Sequence, residues 1–99
     1  MIRIAHTSEI PAGECKYVVA GGIDYAVAHV DGEFFVVDND CPHQGAPLGD
    51  GFLDGHLITC SLHAWQFDVR SGAMPGQPKI CVKTYPVQII DGEICIEAR

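Results

Sequence analysis

Apolar and polar residues alternate along most of this chain with the two-residue period that is typical of β-strands. The periodicity of an amphipathic helix is absent. The predicted strands are Met1–His6, Cys15–Ala20, Ile23–Val30, Glu33–Asp38, His56–Cys60, Gln66–Val69, Lys83–Ile90 and Glu93–Glu97. The first of these has the pattern of an edge strand. The pattern as a whole therefore predicts an all-β fold.

Short turn signals separate several of the predicted strands. They are Gly21-Gly22, Asp31-Gly32, Asp54-Gly55 and Asp91-Gly92. A two-residue type I′ turn needs positive φ at both central positions, which glycine adopts freely and aspartate tolerates. These signals predict antiparallel hairpins joined in a meander.

Two segments of the chain each combine one cysteine with one histidine. Cys41 and His43 stand in the first box, C-P-H-Q-G-A-P-L, and Cys60 and His63 stand in the second, C-S-L-H-A-W-Q-F-D. Sixteen residues separate His43 from Cys60, which is enough for a hairpin that brings the boxes together. The sequence therefore predicts a metal centre with four ligands.

Two thiolates and two imidazoles suit either a tetrahedral zinc ion or a two-iron cluster in which two histidines replace two cysteines. Zinc fingers usually pair cysteine with cysteine and histidine with histidine, whereas both boxes here are mixed. A mixed box can place its cysteine on one iron and its histidine on the other. The spacing therefore favours the two-iron cluster.

The doubled box resembles the cluster-binding motifs of Rieske [2Fe–2S] proteins. The resemblance implies one Rieske-type [2Fe–2S] cluster per chain and no catalytic residue. The cluster ligands that the resemblance implies are Cys41, His43, Cys60 and His63. It also implies the Rieske (ISP-like) fold, in which antiparallel sheets form a base and a smaller lobe holds the cluster. We expect a single domain over residues 1–99, with the lobe at about 38–79 and the base at about 1–37 and 80–99.

Several positions depart from the pattern of high-potential Rieske proteins. Trp65 and Phe67 replace a serine and a tyrosine, and Ala46 and Leu62 replace two cysteines of an extra disulfide. Because hydroxyl donors to the sulfurs would stabilise the reduced cluster, their absence predicts a low potential. In addition, Ala64 replaces a glycine that usually follows the second ligand histidine. Backbone strain is expected at Ala64 if that position needs positive φ.

This pattern is similar to that of the Rieske-type ferredoxins of aromatic-ring dioxygenase systems. The resemblance implies a one-electron carrier, not an enzyme. It would pass electrons from an NAD(P)H-dependent flavoprotein ferredoxin reductase to a terminal Rieske non-haem iron oxygenase. A mononuclear iron site would need two more histidines and a carboxylate, and the oxygenase domain is far larger than this chain.

The charge distribution limits the partners of this chain. The formal net charge is −7, and residues 17–69 contain eight carboxylates and no lysine or arginine. Phosphates would be repelled, which argues against nucleic acid, whereas a basic protein surface would be attracted. No export signal and no apolar run of membrane-spanning length is found, so we expect a soluble, cytoplasmic protein, most useful as a monomer.

The remaining cysteines and histidines are predicted to be structural. Cys15, Cys81 and Cys95 are expected to be small buried apolar residues. The histidines expected on the surface are His6, His29 and His56. No second metal site is predicted from any of these residues.

Two alternative functions remain open at this point. One is the small Rieske-like subunit of an assimilatory nitrite reductase, which would copurify with a large subunit. The other is a structural zinc module, which would lack the visible absorption of a ferric cluster and the electron paramagnetic resonance signal of its reduced form.

Overall fold

The computed structural model describes residues 2–39, 48–60 and 65–97. The strands are β1 Ile2–His6, β2 Cys15–Ala20, β3 Ile23–Val30, β4 Glu33–Asp38, β5 Phe52–Asp54, β6 Leu57–Thr59, β7 Gln66–Asp68, β8 Ala73–Met74, β9 Gln77–Cys81, β10 Thr84–Tyr85, β11 Val87–Ile90 and β12 Glu93–Ile96. Two 3₁₀ turns, Thr7–Glu9 and Leu48–Asp50, are the helical elements in the described part of the chain. It contains no helix that could cross a membrane. The predicted all-β class is confirmed.

The strands form four antiparallel sheets. Their strand orders are β1-β12-β11, β10-β4-β3-β2, β5-β6-β7 and β8-β9. The strand β1 lies at a sheet edge, as its alternation predicted. The four-stranded sheet provides the frame of the molecule because both of its faces are covered.

The strand β3 explains why this sheet is covered on both faces. Its residues Tyr25 to Ala28 are all at most 1% exposed, although successive side chains of a strand point to opposite faces. One face carries a group of buried residues that we call the box-side core: Ala26, Ala28, Val30, Val37, Leu48, Ile58, Cys60, Phe67, Val69 and Val82. The other face carries the opposite core: Ile4, Ala5, Ile10, Tyr25, Val27, Val36, Tyr85, Ile94 and Ile96.

Three predicted strands, β2, β3 and β4, begin and end where the alternation placed them. The turns that flank β3 and the turn at Asp91-Gly92 have positive φ at both central residues, as a type I′ turn requires. The third predicted turn is shifted by one residue. There Asp54 pairs with Leu57, so Gly55 and His56 form the loop, and only Gly55 has positive φ. That geometry is typical of a type II′ turn.

The predicted strand Lys83–Ile90 is wrong in its continuity. Pro86 separates β10, which pairs with β4, from β11, which pairs with β12. Proline lacks the N–H that a continued strand ladder would use, and here the chain passes from one sheet to the next. The structure also contains β5, β8 and β9, which the alternation did not predict.

The three cysteines outside the two boxes, all predicted to be buried, differ in their burial. Cys95 is buried and Cys15 is half-buried, but Cys81 is exposed, so its predicted burial is wrong. Among the described residues β9 pairs with β8 alone. Ile80 of β9 packs against a buried core, and the side chain of the next residue, Cys81, lies on the opposite face of the strand.

The three histidines predicted on the surface are half-buried instead. The Nδ1 atom of His29 lies 2.8 Å from the carbonyl oxygen of Ile10, and its ring stacks on Phe34 at 4.1 Å. His6 accepts a hydrogen bond from the backbone N–H of Ser8 and caps the first 3₁₀ turn. These contacts give the rings of His29 and His6 a structural role.

Candidate metal centre

The loop with the first box is closed at its base by one asparagine. Cys41 and His43 lie in residues 40–47, outside the described residues, but the chain on both sides is described. The carbonyl of Asn39 accepts the N–H of Leu48 at 2.7 Å, and its side-chain Oδ1 accepts the N–H of Gly49 at 2.8 Å. Asn39 is only 4% exposed. The two ends of this loop are therefore held together by buried hydrogen bonds.

The second box is closed in a similar way. Cys60 directly follows β6, and its backbone N–H donates to the carbonyl of Trp65 at 2.8 Å. The residues between them, which include His63, lie outside the described residues. Cys60 itself is 1% exposed and belongs to the box-side core. Both ligand segments thus begin and end at hydrogen-bonded positions.

Both loops are attached to the same packed support. Leu48, which ends the first loop, and Cys60, which begins the second, are members of the box-side core. The turn after the first loop also contacts the base strand β2, because the Sγ atom of Cys15 lies 3.6 Å from the carbonyl oxygen of Gly51. The described ends of the two loops therefore pack in one core.

The described residues fit the predicted centre in donor chemistry. Iron–sulfur clusters are held by cysteine thiolates, and Cys60 offers a thiol that is shielded from solvent. Of the four predicted ligands, Cys60 is described, whereas Cys41, His43 and His63 lie outside the described residues. Within residues 2–39, 48–60 and 65–97, no three His, Cys, Asp or Glu side chains converge to hold a metal ion elsewhere.

The residues that were predicted to set the potential are partly described. Phe67 is fully buried in the box-side core, together with Cys60, and Trp65 is half-buried against the same core. Neither side chain offers a hydroxyl. Ala46, Leu62 and Ala64 lie outside the described residues, so the expectations about the missing disulfide and about strain at Ala64 stay predictions.

One ion pair lies close to the second box along the chain. Arg70 donates two side-chain hydrogen bonds to Asp68, at 3.0 Å and 2.7 Å, and these bonds lower the pKa of that carboxyl. The pKa of the Arg70 guanidinium is raised by the same contact. This pair neutralises one of the eight carboxylates of residues 17–69, and the stretch as a whole stays acidic.

Sequence reasoning did not single out Asn39 or Gly51. Asn39 directly precedes the box region, and asparagine side chains often bond to nearby backbone groups, which was an available signal. The role of Gly51 depends on a contact with Thr59, and no local pattern reveals it.

Comparisons with known proteins find similar sequences over most of this chain. The family model described as Rieske [2Fe-2S] domain matches residues 1–86. The ferredoxin component of the naphthalene 1,2-dioxygenase system of Pseudomonas aeruginosa is 40% identical over 90 residues, which cover 90% of this chain and 86% of that protein.

Two solved structures are similar over nearly the whole chain. A Sphingomonas yanoikuyae B1 ferredoxin has a TM-score of 0.88 and 42% identity, with 98% of this chain and 97% of that chain covered. A complex of reduced oxygenase and oxidized ferredoxin in carbazole 1,9a-dioxygenase has a TM-score of 0.82 and 28% identity, with 93% and 87% covered.

Proposed function

Because the chain belongs to the Rieske [2Fe-2S] domain family, we propose that it is a low-potential electron carrier between a flavoprotein reductase and a terminal oxygenase. The observation that carries the proposal is the family match over residues 1–86, which spans both cysteine–histidine boxes. The chain is an electron-transfer component with a Rieske-type [2Fe–2S] cluster. It is not an enzyme.

The cluster ligands that we propose are Cys41, His43, Cys60 and His63. When bound, a centre of this kind accepts and returns one electron. The contribution of the chain is to bring two thiolates and two neutral imidazoles together from two loops. The buried position of Cys60 and the closed ends of both loops support this assignment.

The apolar surroundings of Cys60 support the proposed low potential. A hydrogen-bond donor near a ligand sulfur favours the more negative, reduced state. Positions 65 and 67 carry no hydroxyl that could donate in this way, and Phe67 packs in the same core as Cys60. Rieske centres have midpoint potentials of about −150 to +300 mV. We therefore place the midpoint potential of this chain in the lower part of that range.

The donor that we propose is an NAD(P)H-dependent flavoprotein ferredoxin reductase, and the acceptor is a terminal Rieske non-haem iron oxygenase. The name of the naphthalene dioxygenase relative and the carbazole dioxygenase complex support an oxygenase as the acceptor. The acidic stretch from 17 to 69 favours partners with basic docking surfaces. Such partners would bind more weakly as ionic strength rises.

The proposed organisation is a single domain, acting as a cytoplasmic monomer. Residues of about 38–79 would form the cluster-binding lobe on a base of about 1–37 and 80–99. The packing of β6 and β7 against one face of the four-stranded sheet supports this division. A monomer suits a carrier that must dissociate from one partner before it meets the next.

An anaerobic redox titration of the purified protein, followed by its visible and electron paramagnetic resonance spectra, tests the proposal. We expect iron and sulfide in equal amounts, one reversible one-electron step, and oxidation of the reduced protein by a Rieske oxygenase. A colourless, zinc-containing protein would contradict the carrier function. Copurification with a large nitrite reductase subunit, without electron transfer to the oxygenase, would favour the alternative.

A further inference from the structure

We infer that the turn from Leu48 to Gly51 is a spacer that sets the separation of the two ligand loops, with Gly51 and Asn39 as its positioning residues. The inference rests on the proposed function, because it concerns the loops that would hold the cluster. It is carried by three contacts, which join this turn to β2, to the last residue of β6 and to Asn39, the residue that follows β4.

The first contact joins Gly51 to the strand that leads into the second box. A Cβ atom built on Gly51 would lie 1.8 Å from the carbonyl oxygen of Thr59 and 3.2 Å from that of Leu48. Gly51 does not have positive φ, so backbone conformation does not explain the glycine. It is required by close approach instead. Since Thr59 directly precedes Cys60, any side chain at position 51 would push the second ligand segment away from the turn.

The second contact fixes the turn against β2. A Cβ atom on Gly49 would lie 2.5 Å from the backbone N and Cα atoms of Tyr17. Backbone atoms of a paired strand move less easily than the end of a flexible side chain. The turn therefore contacts β2 on one side and the end of β6 on the other. If an added side chain enlarges one of these contacts, the opposite contact prevents the turn from moving away.

The third contact closes the first ligand loop onto the same turn. The side-chain oxygen of Asn39 accepts the N–H of Gly49, and its backbone oxygen accepts the N–H of Leu48. Removal of that side chain would leave a buried N–H without its acceptor, which destabilises the folded state. Asn39 thus ties the end of β4 to the turn, and Gly51 ties the turn to the end of β6.

The chemical consequence concerns the ligands of one centre that come from two loops. A shift of one loop relative to the other changes the geometry at the metal, the hydrogen bonds around it and the access of solvent. Positioning residues of this kind should affect the spectrum and the retention of the cluster more than they affect the fold.

The main experiment compares the holoprotein with the variant Gly51→Ala. We expect a changed electron paramagnetic resonance spectrum of the reduced cluster and loss of visible absorption to an iron chelator at least about tenfold faster, which corresponds to about 1.4 kcal/mol. The control is Ile94→Val in the opposite core. We expect it to lower the unfolding temperature while leaving the spectrum and the chelation rate as in the wild type.

A second set of variants keeps the test decisive if Gly51→Ala does not fold. Asn39→Ala removes the acceptor for Gly49 and should accelerate cluster loss. Asn39→Asp keeps an oxygen at that position and should lose the cluster more slowly than Asn39→Ala, although burial of a carboxylate offsets part of the gain. Asn39→Leu keeps a side chain of similar size without the oxygen, so a wild-type rate of loss in Asn39→Leu would show that the residue merely fills space.

The outcomes separate this inference from the function on which it rests. A wild type without iron would overturn both. A normal wild type would overturn the spacer alone if Gly51→Ala and Asn39→Ala kept its spectrum and chelation rate. The same conclusion would follow if cluster loss simply tracked the unfolding temperature in all variants, the Ile94→Val control included.

Discussion

The two faces of the four-stranded sheet are covered in different ways. On the side of the opposite core, β1, β11 and β12 have four or five residues each and pair with one another in a three-stranded sheet. On the side of the box-side core, β5, β6 and β7 have three residues each, β8 has two and β9 has five, and the core also includes Leu48 from a turn and Cys60 from a loop. Apart from β9, the strands are therefore longer on the side of the opposite core.

Because of this difference, we expect the cores on the two faces to be stabilised in different ways. A core closed by paired strands gains stability from apolar burial and from backbone hydrogen bonds at once. The box-side core includes Leu48 from a turn and Cys60 from a proposed ligand loop. When ligands come from loops, metal binding contributes to folding. We therefore expect the box-side core to depend on the cluster and the opposite core to be largely independent of it.

The largest expected effect separates the two buried cysteines. Cys60→Ala removes a proposed ligand, and we expect it to abolish visible absorption and stoichiometric iron binding. Cys95→Ala, in a residue that is 7% exposed on β12, should keep the full iron and sulfide content. Metal and sulfide analysis of both purified variants measures the effect. Equal iron content in the two variants would contradict the assignment of Cys60.

Two isoleucines that are fully buried in different cores provide the next comparison. Ile58→Ala and Ile94→Ala should each lower the free energy of unfolding by about 2 to 5 kcal/mol, since each leaves a cavity. Only Ile58→Ala should also accelerate cluster loss, because Ile58 shares its core with Cys60. Denaturant titration followed by circular dichroism and by visible absorption distinguishes the two losses. Equal acceleration in both variants would mean that the cores are not separate.

The same two faces show what the sequence could predict. The strands β2, β3 and β4 were predicted correctly because alternation and turn residues are local signals. The strand β8 was missed because two residues carry no periodic pattern, and β5 and β9 were missed because their residues, Phe-Leu-Asp and Gln-Pro-Lys-Ile-Cys, do not alternate, so that their partners define them. The prediction that Cys81 is buried was wrong for a related reason, since alternation does not reveal which strand positions are covered by other parts of the chain.

The site divides along the same line. Its proposed ligands could be predicted because iron–sulfur chemistry requires particular residue types at short spacings. The role of Gly51 could not be predicted, because it depends on a contact with Thr59 at the end of another segment. The sequence of neither segment indicates that contact. Local chemistry is therefore visible in the sequence, whereas the distances between local units are not.

A smaller effect concerns the hydroxyl groups near the cluster. Phe67→Tyr adds a hydroxyl within the core that contains Cys60, and we expect the midpoint potential to rise by about 40 to 60 mV, equivalent to about 1 to 1.5 kcal/mol for one electron. Phe34→Tyr adds the same group to a residue packed against the opposite core and should leave the potential unchanged. Redox titration measures both. A Phe67→Tyr potential that stayed constant or fell would contradict the explanation of the low potential.

The smallest expected effect compares two carboxylates by their dependence on pH. Hydrogen bonds from Arg70 lower the pKa of Asp68, and the backbone N–H of His6 lowers the pKa of Glu9. Because each pKa is lower in the folded state, the stabilisation is complete above the unfolded value of about 4 and is lost as the pH falls through the folded value. Asp68→Asn should therefore cost less than about 1 kcal/mol at pH 7 and almost nothing in stronger acid.

Glu9→Gln should follow the same pH dependence but should act on the other side of the molecule. The carboxylate of Glu9 accepts from the N–H of His6 at the end of β1, beside the opposite core. Denaturant titrations at several pH values compare both variants with the wild type, and cluster absorbance is followed in parallel. If the two faces are separate, acid should weaken cluster retention through Asp68 and not through Glu9. A chelation rate that changed equally in both variants would show instead that the stability of the opposite side reaches the ligand loops.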